Sequence, residues 1–202
     1  MVSAPTRRRG PSKGDRKQEA LLETAERLLA VKPLAEIGIE ELARGAGISR
    51  SSFYFYFESR QAMLLALLAR VSDDLVTQVV ECWLEPQSDM RKTVRQSIGL
   101  AVKMWHEHGA VLMAADSPDA PPEAKEFMAD MTGRLVAATV DMIERGRETG
   151  AAPAGPPSAH ALATMLVGMT EHVISHNAGA LGQDELVDTL TAIWHRAVFA
   201  AD

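Results

Sequence analysis

The sequence is short of cysteine, aromatic residues and long apolar runs, and each shortage excludes a class of protein. Cys82 is the one cysteine, so neither an intrachain disulfide nor a four-cysteine metal site can form. That usage suits a reducing cytoplasm. Aromatic residues make up 5% of the chain and β-branched runs are scarce. Ala, Leu, Met, Glu and Arg dominate instead, which favours helix over strand. No stretch of about 18 uninterrupted apolar residues occurs, so no membrane span is expected. The basic start MVSAPTRRRGPSKGDRK leads into a charged segment and not into an apolar run of signal length, which predicts a cytoplasmic chain. Gly-rich phosphate loops, a nucleophile elbow, paired acids and HExxH order are all missing, so an enzyme is not expected. His172 and His176 lie four apart beside Glu171, and His106 and His108 lie near a predicted helix end. A His-x-His pair in a helix points two ways, so these read as solvated or hydrogen-bonded histidines, with no metal and no cofactor.

The 202 residues include 47% hydrophobic ones, enough for a substantial core. The net charge of −6 is uneven: residues 1–60 carry +3 and residues 61–202 carry −9. A basic end on an acidic body suggests that only that end meets a polyanion. Residues 1–14 hold Arg7, Arg8, Arg9 and Lys13 and no acid. They read as a disordered basic arm suited to phosphate contact, which adds affinity without reading sequence.

Apolar periodicity predicts an all-α chain of about nine helices. The expected units are a helix-turn-helix over 15–60 and a larger helical body over 61–202. Leu21, Leu22, Ala25, Leu28 and Leu29 form one stripe of a first helix over 15–31, capped by Asp15 and closed by Pro33. A short helix over 36–45, a tight turn at Gly45 and Gly47, and a helix capped by Ser49 through about Phe55 make a helix-turn-helix plan. Ser59 caps a helix over 60–84 that spans roughly 38 Å at 1.5 Å per residue. Further helices are expected over 89–107, ending near Gly109, then 110–116, 123–148, 158–177 and 183–200. The sequence GAAPAGPP at 150–157 is a clear break.

Residues 37–68 read IGIEELARGAGISRSSFYFYFESRQAMLLALL. This segment resembles the DNA-binding segment of the TetR family of transcriptional regulators, whose pattern runs roughly Thr-Val-x-Asp-Ile-Ala-x-x-Ala-Gly-Val-Ser-x-x-x-Leu-Tyr-x-Tyr-Phe-x-Ser-Lys. The match runs from Gly38 to Arg60 without a gap. The run GAGISRSSFYFYF, with KPLAEI before it, LLALLARV after it and HALATMLVGMTEH and LVDTLTAIW near the end, is similar to the mycobacterial ethionamide-resistance repressor branch. Gly38 stands where the family has a capping Thr, and Arg60 where it has Lys. The resemblance implies a DNA-binding domain over 15–60, a ligand-binding and dimerisation domain over 61–202, and a repressor released from a palindromic double-stranded operator by a small apolar ligand. It extends to control of a gene for a monooxygenase or other drug-activating enzyme. The alternative is a helical small-molecule-binding adaptor or enzyme without DNA binding.

Phe53 and Phe57 are four apart and face the small domain's core, which leaves Arg50, Ser51 and Tyr54 on the other side. Arg44, Ser49, Arg50, Ser51, Ser52, Tyr54, Tyr56 and Arg60 are the expected DNA contacts, with core packing the competing reading for Tyr56. The body is rich in Met, which adapts to varied partners. Met104, Trp105, Met113, Met142, Met169, Thr170 and Glu171 are the expected lining of an apolar ligand pocket. Core packing competes for each, and an arginine pair or cap competes for Glu171. A homodimer is expected through the last two helices, with Leu162, Leu166, Leu186, Leu190, Ile193, Trp194 and Ala197 at the interface. Intramolecular core is the competing reading for these, and one wide face can serve both. In the resembled family these helices form a four-helix bundle between subunits.

Overall fold

A computed structural model describes residues 12–84, 89–176 and 180–199. Within these the chain forms eight α-helices and one 3₁₀ turn at Leu34–Glu36, and the described residues contain no strand. Arg7, Arg8 and Arg9 of the expected arm lie outside the described residues. Its last residues are not an arm: α1 spans Lys13–Leu29 and takes in both Lys13 and Gly14. Asp15 is not the cap. Ser12 is, because its hydroxyl accepts the Asp15 N–H at 3.1 Å while the Asp15 carboxylate accepts the Ser12 N–H at 2.8 Å. This reciprocal box satisfies two backbone donors at once, which a lone Asp cannot do.

The small N-terminal unit continues with α2 (Ile39–Gly45) and α3 (Arg50–Tyr56). Helix α2 starts three residues later than the sequence suggests, because residues 34–36 tighten into the 3₁₀ turn after Pro33. Leu21, Leu22, Ala25 and Leu29 of α1 meet Leu42 and Ala43 of α2 and Phe53 of α3 in a fully closed core. A buried Phe such as Phe53 contributes about 3–5 kcal/mol against truncation to Ala.

Helix α4 (Arg60–Leu84) is the spine, with Ser59 Oγ accepting the Ala62 N–H at 3.0 Å at its start. Its first turns bury Met63, Leu64, Leu67 and Leu68, and its last bury Val79, Cys82 and Trp83. It packs on α1, on α5 (Met90–Ala114) and on α6 (Pro122–Glu148). Helix α7 (Ala159–His176) lies against α6, and α8 (Gln183–Phe199) against α5. One apolar cluster runs from Leu21 through α4 to Val198, so the small unit and the body share a core.

The expected break at Gly109 does not occur. Helix α5 runs through it as one 25-residue helix, giving eight helices where the sequence suggested nine. A mid-helix Gly costs only about 1 kcal/mol, and burial of Val111, Leu112 and Ala114 beyond it outweighs that.

Candidate nucleic-acid interface and ligand cavity

The turn between α2 and α3 depends on Gly47, which sits at φ +64°, where other residues are strained. The Ile48 N–H closes the turn on the Ala43 carbonyl at 2.9 Å. From α1, Lys17 Nζ donates to the Gly47 carbonyl at 3.2 Å and so pins the turn. Ser49 caps α3, accepting the Ser52 N–H at 3.1 Å, and its hydroxyl also lies 2.8 Å from those of Ser51 and Ser52.

Phe53 and Phe57 face inward with ring centroids 6.0 Å apart. Tyr54 stands edge-on to Phe53 and is 48% exposed. Arg50 and Ser51 share its open side, and Arg44 is exposed at the end of α2. Phe55, which is not among the expected contacts, is 84% exposed, the largest unprotected apolar side chain on α3. Its spacing of four from Ser51 was the available signal. Tyr56 is half-buried against the core, with its ring edge-on to Phe55.

Arg60 is turned inward, away from the role expected for it. Its Nη1 donates to the carbonyls of Leu34, Ala35 and Ile37 at 3.0, 2.8 and 2.8 Å. It thus clamps the segment before α2 onto the start of α4. The small unit is tied to the body a second time where Arg70 of α4 meets Glu26 of α1 at 2.7 Å and also pairs with Glu19. His108 of α5 contacts Glu26 as well. Near α2, Lys32 pairs with Glu41 at 2.6 Å, and that hydrogen bond holds the Glu41 carboxyl below its ordinary range.

A cavity of about 540 Å³, its open mouth included, lies between α4, α5, α6, α7 and α8. Of the expected lining, Met104, Trp105, Thr170 and Glu171 are present. Met142 is buried elsewhere in the core and Met169 packs half-buried against it, so neither is in the wall. Met113 is 66% exposed and borders an outer cleft that adjoins the cavity. Tertiary packing filled the wall differently: Leu75, Val79 and Trp83 of α4, Met131 and Leu135 of α6 and Trp194 of α8 line it. The continuing four-residue spacing Leu75, Val79, Trp83 was the signal for three of them. The Trp194 indole N–H donates to Thr170 Oγ1 at 2.8 Å, which places this expected interface residue in the wall. The Trp83 indole N–H is buried with no acceptor. Glu171 accepts from Thr132 Oγ1 at 2.8 Å. Burial raises its carboxyl above the ordinary range, and the Thr132 bond offsets this only in part.

The expected interface divides in two. Leu166, Leu186, Leu190 and Trp194 are buried within the one chain and Leu162 is half-buried, whereas Ile193 is 42% exposed and Ala197 is open. Met165, 74% exposed, joins them as the large apolar side chain left bare on α7. Among the described residues no group of three or more His, Cys, Asp or Glu could hold a metal ion. None of the described helices is long and apolar enough to cross a membrane.

Comparison with known proteins agrees with this layout. Residues 21–67 match the model of bacterial regulatory proteins of the tetR family, and residues 94–200 match that of the C-terminal domain of the transcriptional regulator EthR. The chain is 35% identical over 201 residues to the HTH-type transcriptional regulator EthR of Mycolicibacterium smegmatis, covering 96% of this chain and 91% of that one. The Mycobacterium tuberculosis EthR is 36% identical over 199 residues, covering 96% and 92%. Among solved structures, the fatty acid degradation regulator FadR of Bacillus halodurans superposes with a TM-score of 0.75 at 13% identity, over 93% and 96% of the two chains. Reduced NemR of E. coli gives 0.71 at 19%, over 90% and 97%. These two share the fold.

Proposed function

The chain belongs to the TetR family of bacterial regulators, with an EthR-type C-terminal domain, and on that premise we propose a homodimeric repressor that a small apolar ligand releases from a palindromic operator. It is a DNA-binding transcriptional regulator of helix-turn-helix type and not an enzyme. Family members bind operator DNA and act as dimers with small-molecule ligands. The observation that carries the fuller reading is the sidedness of α3. Phe53 and Phe57 anchor it while Arg50, Ser51, Tyr54 and Phe55 are exposed. Such a helix presents its open side to base edges and phosphates in the major groove.

One helix reads few base pairs, so two copies spaced about 34–36 Å apart, or a multiple of that, would give the needed specificity. Met165, Ile193 and Ala197 are the apolar groups that a partner copy would cover. Helix α4 supplies the switch: Arg60 clamps its start to the small unit, and Leu75, Val79 and Trp83 near its end line the cavity. A ligand that prefers one tilt of α4 shifts the DNA-binding equilibrium by that preference and no more. A preference of about 2.7 kcal/mol gives roughly a hundredfold loss of operator affinity. The branch resemblance extends the proposal to a gene for a monooxygenase or other drug-activating enzyme.

The test is fluorescence anisotropy with DNA from upstream of the chain's own gene. Nanomolar, salt-sensitive binding to a palindrome is expected, with release by an apolar amide or ester over the concentration range in which it quenches tryptophan. Ligand binding without any DNA binding, on that fragment or on selected random DNA, would favour the adaptor reading.

A further inference from the structure

Trp83, Trp105 and Trp194 all line the cavity, and among the described residues Glu171 is the one ionisable side chain in its wall. Glu171 also borders the outer cleft, as does Trp105, so both residues are shared by the two spaces. That outer cleft holds Asp116, Glu171, His172 and His176 but no lysine or arginine. A carboxylate offers about four acceptor positions, and Glu171 receives the Thr132 hydroxyl and makes no ion pair with any of the described residues. An arginine pair, the bland role for such an acid, is therefore not what holds it there.

An acid in apolar surroundings without a counter-charge is costly, and a cation that arrives with the ligand removes that cost. We propose that the cavity takes an amphiphile with a protonated amine head, the ammonium pairing with Glu171 at the mouth and the apolar body lying among the three tryptophans. The proposal rests on the reading of the body as a ligand-binding domain and narrows the ligand class. Three features favour the cation over a neutral or anionic head. Among the described residues the mouth carries Asp116 and Glu171 and no lysine or arginine. Residues 61–202 sum to −9, so an anion is repelled on approach. Trp105 lines both spaces, and an indole ring attracts an ammonium. Within the wall, the buried indole N–H of Trp83 has no acceptor, so an ether or carbonyl oxygen in the ligand body would add a second anchor.

The test uses three probes of equal chain length: decylamine, decanol and decanoic acid. Each is titrated below its micelle concentration into the full-length protein at pH 7.5, followed by tryptophan fluorescence and calorimetry. Decylamine is expected to bind at least tenfold more tightly than decanol, with decanoic acid weakest. Glu171→Gln keeps the shape and the Thr132 partner, so it should bring decylamine within about twofold of decanol. Equal binding of decylamine and decanol by the parent protein, or an amine preference that survives in the variant, overturns the proposal and leaves the ligand-binding reading standing. If none of the three probes binds, the amine proposal falls, and the amide or ester titration decides the ligand-binding reading separately.

Discussion

Gly45 ends α2 where that helix touches α1, and replacing it by Ala should harm the DNA-binding unit although Ala is the better helix former. A Cβ at Gly45 would overlap Thr24 Cγ2, with Thr24 Oγ1 and Cβ at 3.1 and 3.3 Å. Thr24 cannot turn aside cheaply. Its hydroxyl donates to the Ala20 carbonyl at 2.7 Å and accepts from Arg27 Nη2 at 3.0 Å. In a free helix the exchange gains at most about 1 kcal/mol, and less at a terminal residue. One extra carbon in a closed core costs about 1–3 kcal/mol. The net expectation is a loss of about 1–2 kcal/mol, or about 2–8 °C in Tm for a chain of this size. Thr24→Ser deletes only the offending methyl and keeps the hydroxyl. In that background Gly45→Ala should be neutral within about 0.5 kcal/mol, giving a coupling energy of about 1–2 kcal/mol. Urea unfolding followed by circular dichroism at one fixed protein concentration measures all four proteins. A Gly45→Ala variant as stable as its parent, or an equal loss with and without the Thr24 methyl, would refute the reasoning.

Arg60→Met should cost about 2 kcal/mol by stripping three carbonyls of a charged donor, and Arg60→Lys should recover part of it. Urea midpoints decide, and no loss for Met would show the clamp to be idle. Glu171→Gln should stabilise the protein at neutral pH. The acid is neutral in both states below about 4.5. As pH rises the unfolded chain ionises first and stability falls until the raised folded value is passed. The variant's advantage should therefore appear above that window and vanish at acid pH, with Tm measured from pH 4 to 8; a flat difference would count against it. Tyr54→Phe keeps the ring and should cut operator affinity by about 1 kcal/mol with folding intact, if its hydroxyl holds a phosphate. Met165→Glu with Ile193→Glu should leave the secondary structure intact and halve the mass seen by light scattering; an unchanged mass would place any interface elsewhere.

Local chemistry was enough to read much of this protein from its sequence. Ser49, Ser59 and Gly47 mark cap and turn positions by residue type alone. The four-residue spacings in α1 and α4 show which faces are buried, because a helix repeats its neighbours every turn. The pairing of Phe53 with Phe57, and the freedom of Arg50, Ser51 and Tyr54, followed from the same periodicity. What remained depended on contacts between residues far apart in the chain. Gly109 reads as a stop until the burial of Val111 and Leu112 is counted against its cost. Arg60 reads as a free cation until residues 34–37 bring their carbonyls to it from more than twenty positions away. Met104 and Met142 look alike in sequence, yet the packing of α6 on α4 and α7 puts one in the cavity wall and the other in solid core. Leu190 and Ile193 lie on one apolar helix, and only the position of α8 on α5 decides which is core and which stays open to a partner. Periodicity determines that a face is apolar; what covers that face is settled by the tertiary structure.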